Sequence, residues 1–94
     1  MYSEIKEVIV TEVGTRDGFQ SEKKIINTKD KISLINDLIN TGFKRIEYSS
    51  FVSPKAIPQL ADASEVIKGI NRNKDITLTA LVPNLRGAIR AVEA

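Results

Sequence analysis

Cysteine and histidine are both absent from the 94 residues. Without cysteine there is no disulfide framework and no thiolate metal site. Without histidine there is no imidazole base and no imidazole metal ligand. Long apolar runs are missing too, since no stretch approaches the roughly 18 residues that suggest a membrane span. The N-terminus, Met1-Tyr2-Ser3-Glu4-Ile5-Lys6-Glu7, has no apolar run ahead of its charges and is unlike a secretory signal. A cytoplasmic chain with no membrane partner is expected. Charge is balanced, with 14 basic and 12 acidic residues and a net charge of +2. The densest basic spots, Lys23-Lys24 and Lys44-Arg45, are short and lack interleaved aromatics, so nucleic acid is not an expected partner. Gly14 and Gly18 are the only glycines of the first loop, and their spacing fits neither a P-loop nor a dinucleotide fingerprint.

What is present is ordinary for a folded protein, with 41% apolar and 28% charged residues. A chain of this length buries a modest fraction of its surface. Its pattern alternates strand and helix. Val8 to Val13 is rich in β-branched residues and stops at Gly14, which predicts a first strand. A loop follows to about Asn27. A helix should begin near Thr28, capped by Asn27 or Thr28, with Asp30 suited to its N-terminal dipole. Ile32, Ile35, Leu38 and Ile39 form its apolar stripe, and Gly42 is the expected left-handed stop. Arg45 to Ser49 reads as a second strand, with Ile46 and Tyr48 on one face and Glu47 and Ser49 on the other. A loop with Pro54 and Pro58 leads to a helix carrying Leu60, Ala63, Val66, Ile67 and Ile70. A third strand spans Ile76 to Val82, and Asn84 caps a third helix with a stripe of Leu85, Ala88, Ile89 and Val92.

Three strand-helix units of about 30 residues imply parallel strands with right-handed crossovers. Parallel strands need cover on both faces. The pattern stops at Ala94 with no visible helix stop. The expectation is therefore an α/β fold, the first three βα units of a (β/α)8 barrel, incomplete as it stands.

Three places could carry chemistry. Gly14-Thr15-Arg16-Asp17-Gly18-Phe19-Gln20 directly follows the first strand. Ligands bind at that end of parallel strands. Asp17 is a hard oxygen donor suited to Mg²⁺ or Mn²⁺. Arg16 offers a fork of donors to a carboxylate, a phosphate or a developing enolate. Asp-Gly pairs are also common in plain turns, and Arg16 could equally pair with a surface carboxylate; on these residues alone the turn is favoured. Glu47 should face away from the helices, where a buried carboxylate needs a partner such as Arg16; in an open sheet it would instead be an edge carboxylate in water. Ser49-Ser50-Phe51-Val52-Ser53-Pro54-Lys55 offers hydroxyls and a cation, or merely a polar loop.

Together these segments resemble the hydroxymethylglutaryl-CoA lyase family. VTEVGTRDGFQSE is similar to its usual EVGPRDGLQNE, RIEYSSFVSPKAIPQLAD to IExTSFVSPKxxPQxAD, and LTALVPNLRGAIRAVEA to its third strand and helix with a recurring PNxxG. The resemblance covers nearly all of residues 1–94, as the N-terminal part of a lyase-like, pyruvate-carboxyltransferase-like barrel domain. It implies a divalent metal, Mg²⁺ or Mn²⁺, an acyl-CoA substrate, and retro-aldol cleavage of 3-hydroxy-3-methylglutaryl-CoA to acetyl-CoA and acetoacetate. It further implies Asp17 as a metal ligand, Arg16 as the enolate-stabilising group, Glu47 as an organiser of the active site, and Gln20 and Ser50 as substrate-binding groups. Thr15 stands where the family usually has proline, and Phe19 where it has leucine. The family's His-x-His pair and reactive cysteine have no counterpart here, so most metal ligands would come from outside the chain. The isolated chain is expected to bind metal weakly and to lack lyase activity. Two further readings remain: part of an aldol-type acyl-CoA synthase of the same superfamily, and a non-catalytic piece that self-associates through exposed strand edges.

Overall fold

A computed structural model describes residues 7–94. The stretch Met1–Lys6, part of the N-terminus read above as unlike a signal, lies outside the described residues. Two parallel strands, β1 (Arg45–Ser50) and β2 (Thr77–Leu81), form the sheet. Three α-helices accompany them: α1 (Thr28–Asn40), α2 (Ala63–Gly69) and α3 (Leu85–Glu93). Among the described residues no helix is long and apolar enough to cross a membrane.

α1 begins where its cap predicts. The Asn27 side chain accepts from the Asp30 backbone N–H at 2.8 Å, satisfying one orphan donor of the first turn. Beyond its end Gly42 has φ 106°, the one positive φ among the described residues. An L side chain rarely adopts that conformation, so glycine ends the helix there. Ile35 is fully buried, and Ile32, Leu38 and Ile39 pack beside it, as the stripe requires. They meet Ile46 and Tyr48 of β1 and Ala63, Val66, Ile67 and Ile70 of α2 and its end, forming the core. Leu60 lies in a separate 3-10 turn, Pro58–Leu60, ahead of α2. The Asn36 side chain accepts from the Asn71 backbone N–H at 2.8 Å and so ties α1 to the end of α2.

The register of β1 and β2 shifts between Glu47 and Ser49: Glu47 pairs with Thr79, but Ser49 pairs with Ala80. Tyr48 is the extra residue of this bulge. Alternation is lost beyond it, so Ser49 and Ser50 are both buried and the next core residue is Phe51, whose ring meets Tyr48 edge-on at 6.4 Å.

Two expectations fail. The first strand is reduced to a single bridge, Glu12 to Ile46. Glu12 N–H donates to the Arg45 carbonyl at 3.0 Å, and its carbonyl accepts from Glu47 N–H at 2.9 Å. Val8, Ile9 and Val10 are exposed. Their β-branched character is a preference for a half-buried pleated surface, and nothing here provides one. The stripe of α3 also faces the wrong way, with Leu85, Ile89 and Val92 all exposed. Instead α3 lays its Gly87 side against the loop after β1. A Cβ at Gly87 would fall well inside contact with the Phe51 carbonyl oxygen. That contact with backbone, rather than apolar spacing, sets which face turns inward.

Gly87→Ala is accordingly expected to destabilise the chain by about 1–3 kcal/mol, although alanine is the better helix former. Gly18→Ala, where nothing lies within 4 Å of the new Cβ, should stay within about 0.5 kcal/mol of the parent. Urea midpoints of the two variants decide this; equal midpoints would contradict the close-approach account.

Candidate functional site

The loop after the Glu12 bridge closes into a π-helical turn, Gly14–Gly18. Such turns are rare and recur at functional sites. Three contacts hold it. The Glu12 carboxylate accepts from Gly14 N–H at 2.8 Å. The Val13 carbonyl accepts from Asp17 N–H at 2.8 Å. Thr15 is buried and its hydroxyl donates to the Glu47 carbonyl at 3.2 Å, a bond that the proline usual in the resembling family could not make. The loop is thereby seated on β1 one residue from Arg16.

Arg16 and Glu47, 31 residues apart in sequence, come together as a charge-assisted pair from Arg16 Nε to Glu47 Oε1. Both side chains are about four-fifths buried, at 21% and 19% exposure. The expected partnership is present, on the side of β1 away from the core. Its geometry commits Nε and leaves the terminal nitrogens for other acceptors. Nη1 lies 3.4 Å from Asp17 Oδ1. Asp17 is exposed, at 67% of its side-chain surface. The turn thus presents a cation pinned from behind by one carboxylate and flanked by a second that is open to solvent.

The remaining candidates are placed differently. Gln20 is half-buried just beyond the turn, and its side chain makes no hydrogen bond among the described residues. Ser50 is buried and donates its hydroxyl to the Leu81 carbonyl at 3.2 Å, so its proton links the ends of β1 and β2. Among the described residues no group of three or more His, Cys, Asp and Glu comes together that could hold a metal. Asp17 is one oxygen donor, and Mg²⁺ or Mn²⁺ takes about six ligands. The donor set present does not by itself fit a metal centre.

A network that sequence reading missed supports the loop from below. Lys31 is buried, with 4% of its side chain exposed. Its ammonium donates to Asp62 Oδ1 at 2.6 Å and to the Gln59 carbonyl, and it sits 5.9 Å from the Phe19 ring centroid. Thr28 donates to the other Asp62 oxygen at 2.6 Å, and the Gln59 amide donates to the Glu22 carbonyl at 2.8 Å. The start of α1, the Pro58–Ala61 turn and the Phe19–Glu22 stretch are joined through these bonds. One signal was available: Lys31 stands four residues before Ile35, a cation on the helix's apolar face. Elsewhere, burial raises the pKa of the Tyr48 hydroxyl, an effect partly opposed by Arg72. Tyr48 lines an outer cavity with Arg72, Leu78 and Ala91, and no residue of the Arg16 turn lines it.

Comparison with known proteins gives a consistent set of neighbours. No family model matches the chain. It is 54% identical over 88 residues to a hydroxymethylglutaryl-CoA lyase of Bacillus subtilis, which covers 94% of this chain and 29% of the relative. It is 52% identical over 89 residues to the mitochondrial hydroxymethylglutaryl-CoA lyase of Macaca fascicularis, covering 95% and 27%. The solved structure of an HMG-CoA lyase from Acinetobacter baumannii, in complex with coenzyme A and 3-methylmalate, superposes with a TM-score of 0.87 at 58% identity. That match covers 90% of this chain and 28% of the other. The chain therefore spans less than a third of the length of these relatives.

Proposed function

We propose that the chain, which corresponds to the N-terminal part of the hydroxymethylglutaryl-CoA lyase family and of its TIM-barrel fold, supplies the Arg16 side of an active site for retro-aldol cleavage of a 3-hydroxyacyl-CoA. The Arg16–Glu47 pair is the observation that carries this reading. Residues 1–94 form the first part of the barrel domain, and the exposed Val8–Val10 segment and α3 stripe are apolar surface that such a domain would cover.

In the proposed reaction the tertiary hydroxyl of 3-hydroxy-3-methylglutaryl-CoA loses its proton. The bond between C2 and C3 breaks, its electron pair moves toward the thioester, and a ketone forms at C3. The products are acetoacetate and the enolate of acetyl-CoA, which takes up a proton at carbon. Negative charge therefore grows on the thioester oxygen. A preorganised guanidinium opposite that oxygen acts where charge develops. Glu47 fixes the plane of the fork through Nε, and Thr15 fixes the loop against Glu47's own backbone. Gln20 is proposed as a substrate-binding amide, since its side chain is uncommitted. Ser50 is proposed as the other substrate-binding group, its hydroxyl proton going to the Leu81 carbonyl and its oxygen left to accept.

A divalent metal is implied for the family. Asp17, open to solvent beside Arg16, would be this chain's ligand to it, with the others coming from outside residues 1–94. The test is a hybrid in which residues 1–94 replace the matching part of the Bacillus subtilis relative. Metal-dependent release of acetyl-CoA from 3-hydroxy-3-methylglutaryl-CoA is expected. A folded hybrid that releases none would overturn the reading.

A further inference from the structure

The Arg16 turn is anchored on both sides, and the two anchors differ. Ahead of Arg16 the buried Thr15 seats the turn on β1. Beyond Gly18 the chain leaves the turn, and Ser21 to Asn27 form neither helix nor strand. Ser21 to Ile25 are exposed, so burial does little to fix them. Two bonds within the stretch are local. Ser21 N–H donates to the Asp17 carbonyl at 3.3 Å, and Glu22 N–H donates to the Phe19 carbonyl at 3.2 Å. Two contacts come from elsewhere in the fold. The Gln59 side-chain amide donates to the Glu22 carbonyl at 2.8 Å, and the Lys31 ammonium stands over the Phe19 ring. Both lead back to one point, because the main-chain carbonyl of Gln59 itself accepts from Lys31. Lys31 is held in turn by Asp62, and Asp62 by Thr28.

Residue 59 is thus fixed through its main chain to a buried cation, and its side chain passes that fixity to Glu22. Gln20 lies between the two clamped residues, Phe19 and Glu22, and its own side chain makes no hydrogen bond among the described residues. A group that is ordered before it binds spares the entropy of ordering it on binding. We infer that Gln59 is a positioning residue: by clamping Glu22 from the Lys31–Asp62 node, it holds the Phe19–Glu22 stretch so that Gln20 meets the substrate already placed. What Gln20 binds rests on the acyl-CoA lyase reading above; the clamp does not. The bond runs to a main-chain carbonyl, so it requires a donor at position 59 and no particular side chain at position 22.

Gln59→Met is the test, since methionine keeps the stem, deletes the donor and leaves the main-chain bond to Lys31 in place. In the 94-residue chain, amide hydrogen exchange at Ser21 and Glu22 should quicken about tenfold, the size of one lost hydrogen bond. In the hybrid enzyme, KM for 3-hydroxy-3-methylglutaryl-CoA should rise about three- to tenfold while kcat stays within about twofold, the pattern of lost uniform binding. Asn36→Ala is the control. It removes the tie between α1 and the end of α2, so it lowers the urea midpoint but should move neither the exchange of Ser21 and Glu22 nor KM. Unchanged exchange in Gln59→Met would overturn the clamp whatever the hybrid does. An unchanged KM in an active hybrid, or an equal rise in Asn36→Ala, would overturn the positioning role and leave the lyase reading standing. A parent hybrid without activity would sink the lyase reading and with it the substrate role of Gln20, and exchange would still decide the clamp.

Discussion

Arg16→Gln in the hybrid enzyme is expected to lower kcat by about 10²–10³-fold, equivalent to about 2.7–4 kcal/mol of transition-state stabilisation. KM should move far less. Glutamine can still donate a hydrogen bond, but it carries no charge to meet the growing enolate. Only an interaction stronger in the transition state than in the ground state acts on kcat. Arg16→Lys tests the fork itself. It keeps the charge but cannot hold Glu47 through Nε while presenting planar donors on the other side, so its rate should stay well below that of the parent. Glu47→Gln should weaken the pinning of Arg16 without removing the cation, giving a smaller loss than Arg16→Gln. The measurement is steady-state cleavage of 3-hydroxy-3-methylglutaryl-CoA, with thermal unfolding of each variant as the control for folding. A full rate in Arg16→Gln would remove Arg16 from the chemistry.

Lys31→Met should lower stability strongly. Methionine keeps most of the apolar stem and deletes the ammonium. Asp62 then retains only the Thr28 hydroxyl, and the Gln59 carbonyl loses its donor. Breaking a buried pair from one side costs about 3–5 kcal/mol. Asp62 keeps about a fifth of its side-chain surface in water, so solvent relieves part of the cost and the lower end of that range is expected. Domains commonly hold only about 5–15 kcal/mol of stability in total. Adding Asp62→Leu to Lys31→Met should recover part of the loss, because removing both charges leaves neither unpaired. Urea unfolding of the two single variants and the double variant gives the coupling directly. Single-variant losses below about 0.5 kcal/mol would show that the pair is no support for the first loop.

Much of this molecule was legible from local pattern. Asn27 before a 3.6-residue apolar period marks the start of α1, and Gly42 marks its stop, because capping and left-handed φ are decided within a few residues. Ile46 and Tyr48 announce the covered face of β1 by their spacing alone. Glu47 is thereby sent to the other face, toward Arg16. The remaining features depend on partners distant in the chain. Whether Val8–Val13 forms a strand depends on neighbours, and among the described residues it finds only the Glu12 bridge. The bulge at Tyr48 arises from pairing with a strand some 30 residues away, and beyond it Ser50 is buried with its hydroxyl donating to the Leu81 carbonyl. Lys31 looks like a flaw in an apolar stripe until Asp62 and the Gln59 carbonyl are brought to it.

From the sequence alone came the alternation of elements, the caps, and the family whose Arg-Asp-Gly turn and Glu-bearing strand it shares. The tertiary structure decided that Arg16 is pinned through Nε, that Asp17 is left open, and that α3 turns Gly87 inward and its apolar stripe outward. Helical period and capping are properties of neighbours along a chain. Ion pairing, close backbone approach and burial are properties of neighbours in space, and only the folded chain defines those.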